Sequence, residues 1–157
     1  MFVVGDEIVH PMHGAGVIKS ITSKRINGVE QTYYVLSVPS SNVVIMIPIR
    51  QCESIGIRPV MDGAAADIII ELFREAQIED SANWNKRYRE NMLRLKSGDL
   101  SEVSRVVKSL MLREKTRSLS TGERKMLVTA KQIMLSELVL AKNTTYNELE
   151  SLLVSML

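Results

Sequence analysis

Few residues in this chain are of types that do chemistry, and their spacing limits what they can do. His10 and His13 are close enough to share a metal ion, but there is no third His, the single Cys is Cys52, and no acid is closely spaced with them. The other reading is that the two imidazoles cap a turn. A Cys52–His nucleophile pair would need a base and an orienting group that the sequence does not place, and the acids are mostly scattered at helix starts. As the only thiol, Cys52 cannot form an internal disulfide; it fits a reducing compartment and reads as a small buried side chain. Gly14-Ala15-Gly16 precedes a strand and lacks a following Lys-Ser/Thr pair, so it gives little support to a phosphate-cradling loop. The expectation is a chain that is not an enzyme, with no metal, no cofactor and no small-molecule substrate.

The basic residues carry more information. Formal net charge is only +2, but it is unevenly divided. Residues 1–66 hold five cations against five acids, 67–83 one Arg against five acids, 84–131 thirteen Lys or Arg against five acids, and 132–157 one against three. A confined block of net +8 attracts a polyanion, or else consists of solvated helix faces. The only Trp opens this block, in Asn83-Trp84-Asn85-Lys86-Arg87-Tyr88-Arg89. On a helix Trp84, Tyr88 and Leu95 form one stripe, with Arg87 and Arg94 on another. Two readings stay open: the aromatics fill a core, or Trp84, in the first turn, projects past the helix end and presses on an unstacked base step. Arg105, Lys108 and Lys115 oppose the apolar Val103, Val106, Val107 and Leu110, which by elimination puts them at the surface, against phosphate or water. Arg124 and Lys125 begin a further helix, where cations oppose the helix dipole at a cost of tenths of a kcal/mol.

The elements that must position these residues fall into two kinds. Residues 7–9, 16–22, 31–38 and 43–48 are β-branched or alternating runs between turn signals. Asn27-Gly28 predicts a two-residue hairpin turn, and Gly14 and Gly16 a tight bend or bulge. Such short strands favour a small β-barrel of the SH3 or Tudor kind over 1–60. From residue 61 to 157 the apolar spacing is helical, with helices expected at about 64–77, 83–96, 100–117, 121–141 and 145–156. Asp99/Glu102, Ser120/Glu123 and Thr145/Glu148 supply N-cap spacings and Gly98 a left-handed stop. The fold class is therefore α+β, with two domains. At 45% apolar and 24% charged the chain reads as globular, and without a basic-apolar leader or a membrane-length apolar run it is expected to be cytoplasmic.

Four segments, in order, are also familiar: Val4-Gly5-Asp6, His10-Pro11-Met12-His13-Gly14-Ala15-Gly16, Asn83 to Tyr88, and Leu119-Ser120-Thr121-Gly122-Glu123-Arg124-Lys125-Met126-Leu127. Together they resemble the CarD (CdnL) family over essentially the whole chain, and the amino-terminal part also resembles the polymerase-interacting module of transcription-repair coupling factor. The resemblance implies a Tudor-like domain that binds the RNA polymerase β subunit through an edge strand, here Val43, Val44, Ile45, Met46, Ile47 and Pro48, with Lys24 contributing. It further implies a helical domain that stabilises the promoter open complex by largely sequence-independent contact with DNA at the upstream edge of the transcription bubble. The family tryptophan maps to Trp84, and the DNA-facing cations to Lys86, Arg87, Arg89, Arg124 and Lys125. Met46 stands where some relatives have Arg, which implies an apolar contact there, and Thr129 replaces a Lys of some relatives, with Lys131 nearby. The residues alone leave room for a free-standing architectural DNA-binding protein, or for a pure protein-interaction module.

Overall fold

The computed structural model describes residues 1–39, 41–79 and 81–157; Asp80, one of the acids counted in 67–83, lies outside them. Five strands, β1 (Glu7–His10), β2 (Gly14–Ile26), β3 (Val29–Ser37), β4 (Val44–Pro48) and β5 (Arg58–Pro59), make one antiparallel sheet in the order β4-β3-β2-β1-β5. Asn27 and Gly28 have φ of 51° and 78°, the left-handed pair that closes the β2–β3 hairpin. Ile8, Ile18, Tyr34, Leu36, Ile45 and Ile47 alternate inward to form the core of this part, and Phe2, Ile49, Ile55 and Ile57 pack against it. Fully burying an Ile or Leu stabilises by about 1.5–3 kcal/mol, so this small cluster needs all its members.

Gly14 and Gly16 do more than turn the chain. A Cβ on Gly16 would lie 2.4 Å from the Ser37 carbonyl oxygen, so its absence lets β3 approach. The bulge falls later in β2, at a register shift between Ile18 and Ser20. After β4 the chain makes a 3-10 turn (Ile49–Gln51), the short helix α1 (Cys52–Ile55) and the two-residue β5, none of which periodicity signalled. Such pieces are too short to carry a pattern and are set by what they pack on.

The second part is all-helical: α2 (Gly63–Glu75), α3 (Trp84–Lys96), α4 (Leu100–Thr116), α5 (Thr121–Lys142) and α6 (Tyr146–Ser155). Asp62, Asn83, Asp99, Ser120 and Thr145 each accept a backbone N–H of the first turn, the N-caps that fix where these helices begin. Leu127, Ala130, Met134 and Leu138 line the buried face of α5, meeting Val103, Val106, Val107 and Leu110 of α4 and Ala66, Ile69 and Phe73 of α2 in one core. Among the described residues no helix is long and apolar enough to cross a membrane.

Lys108 corrects the elimination argument. It is only 6% exposed, and its ammonium donates to the carbonyls of Phe73, Arg74 and Ala76 at 2.7, 2.9 and 3.0 Å. A helix leaves its last carbonyls without partners, and Lys108 reaches from α4 to satisfy those of α2. Burial pulls its pKa below the ordinary lysine value, while the negative end of the α2 dipole favours the cation. Lys108→Met should therefore cost about 1–3 kcal/mol in urea unfolding, against less than about 0.5 kcal/mol for the exposed Lys115→Met.

The two parts meet along α5. Ser136 Oγ accepts the Ala15 N–H at 2.8 Å, Gln132 Nε2 donates to the His13 carbonyl at 2.7 Å, and a Cβ on Gly14 would lie 2.6 Å from Ser136 Oγ. Arg58 of β5 donates to both carboxylate oxygens of Glu137 at 2.6 and 2.7 Å, and the Met61 N–H reaches Glu137 at 2.9 Å.

Candidate nucleic-acid interface

Asn83 caps α3 by accepting the Lys86 N–H at 3.1 Å, which puts Trp84 in the first turn. Trp84 is 41% exposed. One of its faces lies on Tyr88, four residues on, with ring centroids 4.9 Å apart and planes 17° from parallel. Tyr88 in turn rests on Gly122 of α5, where a Cβ would sit 3.3 Å from the Tyr88 ring. Trp84 Nε1 donates to Ser120 Oγ at 3.2 Å. The Trp84–Tyr88–Leu95 stripe thus runs from surface to core: Trp84 exposed, Tyr88 half-buried, Leu95 buried.

The Trp84–Ser120 bond brings the amino end of α3 beside that of α5, so Lys86, Arg89, Arg124 and Lys125 belong to one end of the helical part, all exposed. Two helix amino termini at one place add their positive dipole ends to these cations, an arrangement suited to phosphate. Lys86 also borders a polar groove with Glu79, Glu90, Arg94 and Arg105. Arg94 pairs with Glu102 at 3.2 Å and Lys131 with Glu150 at 3.5 Å; Thr129 is half-buried.

Arg87 does not join the exposed set. It is 5% exposed; Nε meets Glu123 Oε2 at 2.9 Å and Nη1 donates to the Ser81 carbonyl at 2.7 Å. The physical reason is the buried α3 face it occupies, shared with Asn91 and Leu95 at four-residue steps, from which it reaches Glu123 of α5. Burial by itself raises the carboxyl pKa of Glu123, but hydrogen bonding and charge from Arg87, together with Ser120, outweigh it and hold the group below the ordinary glutamate value. Glu123 and Ser120 escape a sequence reading of this site because a capping spacing explains both.

The strand expected to dock a partner, β4, pairs only with β3 and forms one edge of the sheet. Ile45 and Ile47 point into the core while Val44 and Met46 are exposed. Val38 donates to the Val43 carbonyl, so by antiparallel alternation Val43, Ile45 and Ile47 bond to β3 and the backbone groups of Val44 and Met46 face the open edge. Pro48 ends that edge with no N–H to offer. Lys24 Nζ lies 3.7 Å from Met46 Sδ, so the two side chains named for docking adjoin.

The residues tested for chemistry do not assemble into a site. His10 Nδ1 accepts the Met12 N–H at 3.1 Å and its ring lies 4.4 Å from that of His13, a turn cap. Burial first, and then the neighbouring His13, lowers the His10 pKa, and burial pushes the Cys52 thiol up, away from an activated thiolate. Among the described residues no group of three or more His, Cys, Asp or Glu side chains is placed to hold a metal ion.

Comparison with known proteins accounts for both parts. Residues 68–154 match the family model for the CarD C-terminal domain, and residues 2–61 match that for the CarD-like/TRCF RID domain. YdeB of Bacillus subtilis (strain 168), a candidate transcription factor, is 38% identical over 151 residues, 96% of this chain and 99% of that protein. An exposed indole among cations on a helical part, joined to a β part with one open edge, is thus a feature of a chain that belongs to the CarD family.

Proposed function

We propose that this chain is a bacterial transcription regulator that docks on the RNA polymerase β subunit through the open edge of β4 and stabilises the promoter open complex by contacting DNA at the upstream edge of the bubble. The observation that carries this reading is Trp84: a residue 41% exposed, its indole backed by Tyr88 on one face, at a helix end with four exposed cations. A soluble protein has little reason to hold a large flat apolar group in water beside like charges unless a partner covers it. An unstacked base offers the matching face, and phosphates flank it.

In this mechanism no bond is made or broken. Lys86, Arg89, Arg124 and Lys125 hold the backbone without reading sequence, and the free face of Trp84 presses on the exposed base step. The factor shifts the opening equilibrium only to the extent that it binds the open state more tightly than the closed one. Docking on β4 adds a strand to the sheet, so its affinity comes from main-chain groups and it accepts Met46 as an apolar contact.

Met46→Pro removes one outward N–H and leaves the β3 ladder intact. It is expected to weaken binding to isolated polymerase β subunit by roughly two- to tenfold, the worth of one net hydrogen bond. At saturating concentration it should still support the wild-type open-complex lifetime. Undiminished affinity of the variant, or no measurable binding of the wild type to β subunit, would remove the docking reading.

A further inference from the structure

We propose that Ser120, Glu123 and Arg87 form a brace that pre-sets the indole of Trp84, making them positioning residues for the DNA contact; this rests on the reading of Trp84 as the group that meets DNA. The hydrogen bonds converge on the Glu123 carboxylate from two sides. Trp84 Nε1–H donates to Ser120 Oγ at 3.2 Å, and so does the Glu123 backbone N–H at 3.1 Å. The single Ser120 hydroxyl proton is then left for Glu123 Oε1 at 3.2 Å. The other carboxylate oxygen, Oε2, takes Arg87 Nε–H at 2.9 Å, and Arg87 Nη1 donates to the Ser81 carbonyl, just ahead of α3. The chain of contacts leaves the surface at Trp84, crosses to the first turn of α5, and returns to the start of α3.

Two facts separate this arrangement from ordinary helix packing. Glu123 and Arg87 have side chains 3% and 5% exposed, so the charge pair works in a medium where it orients its neighbours strongly and cannot be replaced by water. The group at the far end of the brace, Trp84, is exposed and contributes little to the core. With Tyr88 stacked beneath it and Ser120 holding its only polar atom, the indole is fixed before DNA arrives. Association then spends no affinity on freezing that side chain.

Trp84 is the only Trp in the chain, so intrinsic fluorescence reports on this one side chain without polymerase or DNA. Ser120→Gly is the informative variant, because glycine nearly matches serine as an N-cap but has no hydroxyl to hold the indole. It is expected to increase acrylamide quenching, lower the fluorescence anisotropy, and shorten the open-complex lifetime by roughly two- to tenfold. Ser120→Thr, which keeps the hydroxyl, should restore all three, and in a Trp84→Ala background Ser120→Gly should have no further effect on lifetime. Glu123→Gln, which keeps the shape and loses the charge, should loosen the indole in the same direction as Ser120→Gly. Unchanged quenching and anisotropy in Ser120→Gly, or equal shortening of lifetime with and without Trp84, would overturn the brace. An indole freed by Ser120→Gly but untouched by Glu123→Gln would overturn the part assigned to the ion pair. If quenching rises in both variants while neither Ser120→Gly nor Trp84→Ala alters open-complex lifetime, the brace stands and the DNA-contact reading of Trp84 fails.

Discussion

Arg58→Ala is expected to destabilise the chain by about 3 kcal/mol, near the lower end of the roughly 3–5 kcal/mol that loss of one partner of a buried ion pair costs. The partner left behind is what makes the effect large. Glu137 is fully buried, at 0% exposure, toward the carboxy-terminal end of α5. It accepts two bonds from the Arg58 guanidinium and one from the Met61 N–H, and without Arg58 only the amide remains among these. The Arg58 side chain is 37% exposed, so water can enter where it stood, which sets the estimate at the lower end. For a chain of this size the melting temperature should fall by about 6–12 °C. Arg58→Lys keeps the charge but not the two-pronged geometry and should fall between. A melting temperature for Arg58→Ala within about 2 °C of wild type would mean that Glu137 finds another partner and that the clamp between β5 and α5 is not what ties the two parts together.

In the proposed function that clamp matters because the docking edge and the DNA contact would lie on different parts. An edge strand bound to polymerase can deliver Trp84 to a fixed point on the promoter only if β sheet and helical bundle move as one. The Ala15–Ser136 and His13–Gln132 bonds reinforce the same junction at the β1–β2 turn, where Gly14 lies against α5.

How much of this could be read from the residues depends on how local each feature is. The Asn27-Gly28 turn and the caps at Asp99, Ser120 and Thr145 are written in a few adjacent positions, and the structure has them where the spacing put them. Trp84 was visible as an aromatic among cations in a first turn. Arg87, which the resemblance puts among the DNA-facing cations, and Lys108, which elimination puts at the surface, are both buried, by groups that lie elsewhere in the chain. Glu123, which pairs with Arg87, is 36 positions from it, and the nearest-bonded carbonyl of Lys108 is 35 positions away. A four-residue spacing linking Arg87 with Asn91 and Leu95 was the available signal for the first. Their withdrawal also trims the basic block: of its thirteen cations, Arg87 pairs with a buried carboxylate and Lys108 caps the last carbonyls of α2. The set proposed to face DNA then narrows to Lys86, Arg89, Arg124 and Lys125 around Trp84.

The second large effect is expected at Trp84 itself. Stacking of a base on an aromatic is worth about 1–3 kcal/mol, which corresponds to roughly a tenfold to hundredfold change in the opening equilibrium. An exposed side chain adds little to folding, so Trp84→Ala should leave the urea midpoint and binding to the β subunit close to wild type, and the loss should appear only with promoter DNA. The decisive measurement is the dissociation lifetime of the open promoter complex at saturating Trp84→Ala protein. A lifetime shortened roughly tenfold to hundredfold, toward that of polymerase alone, is the expected result. A lifetime equal to wild type, with fold and polymerase binding intact, would contradict the role given to Trp84.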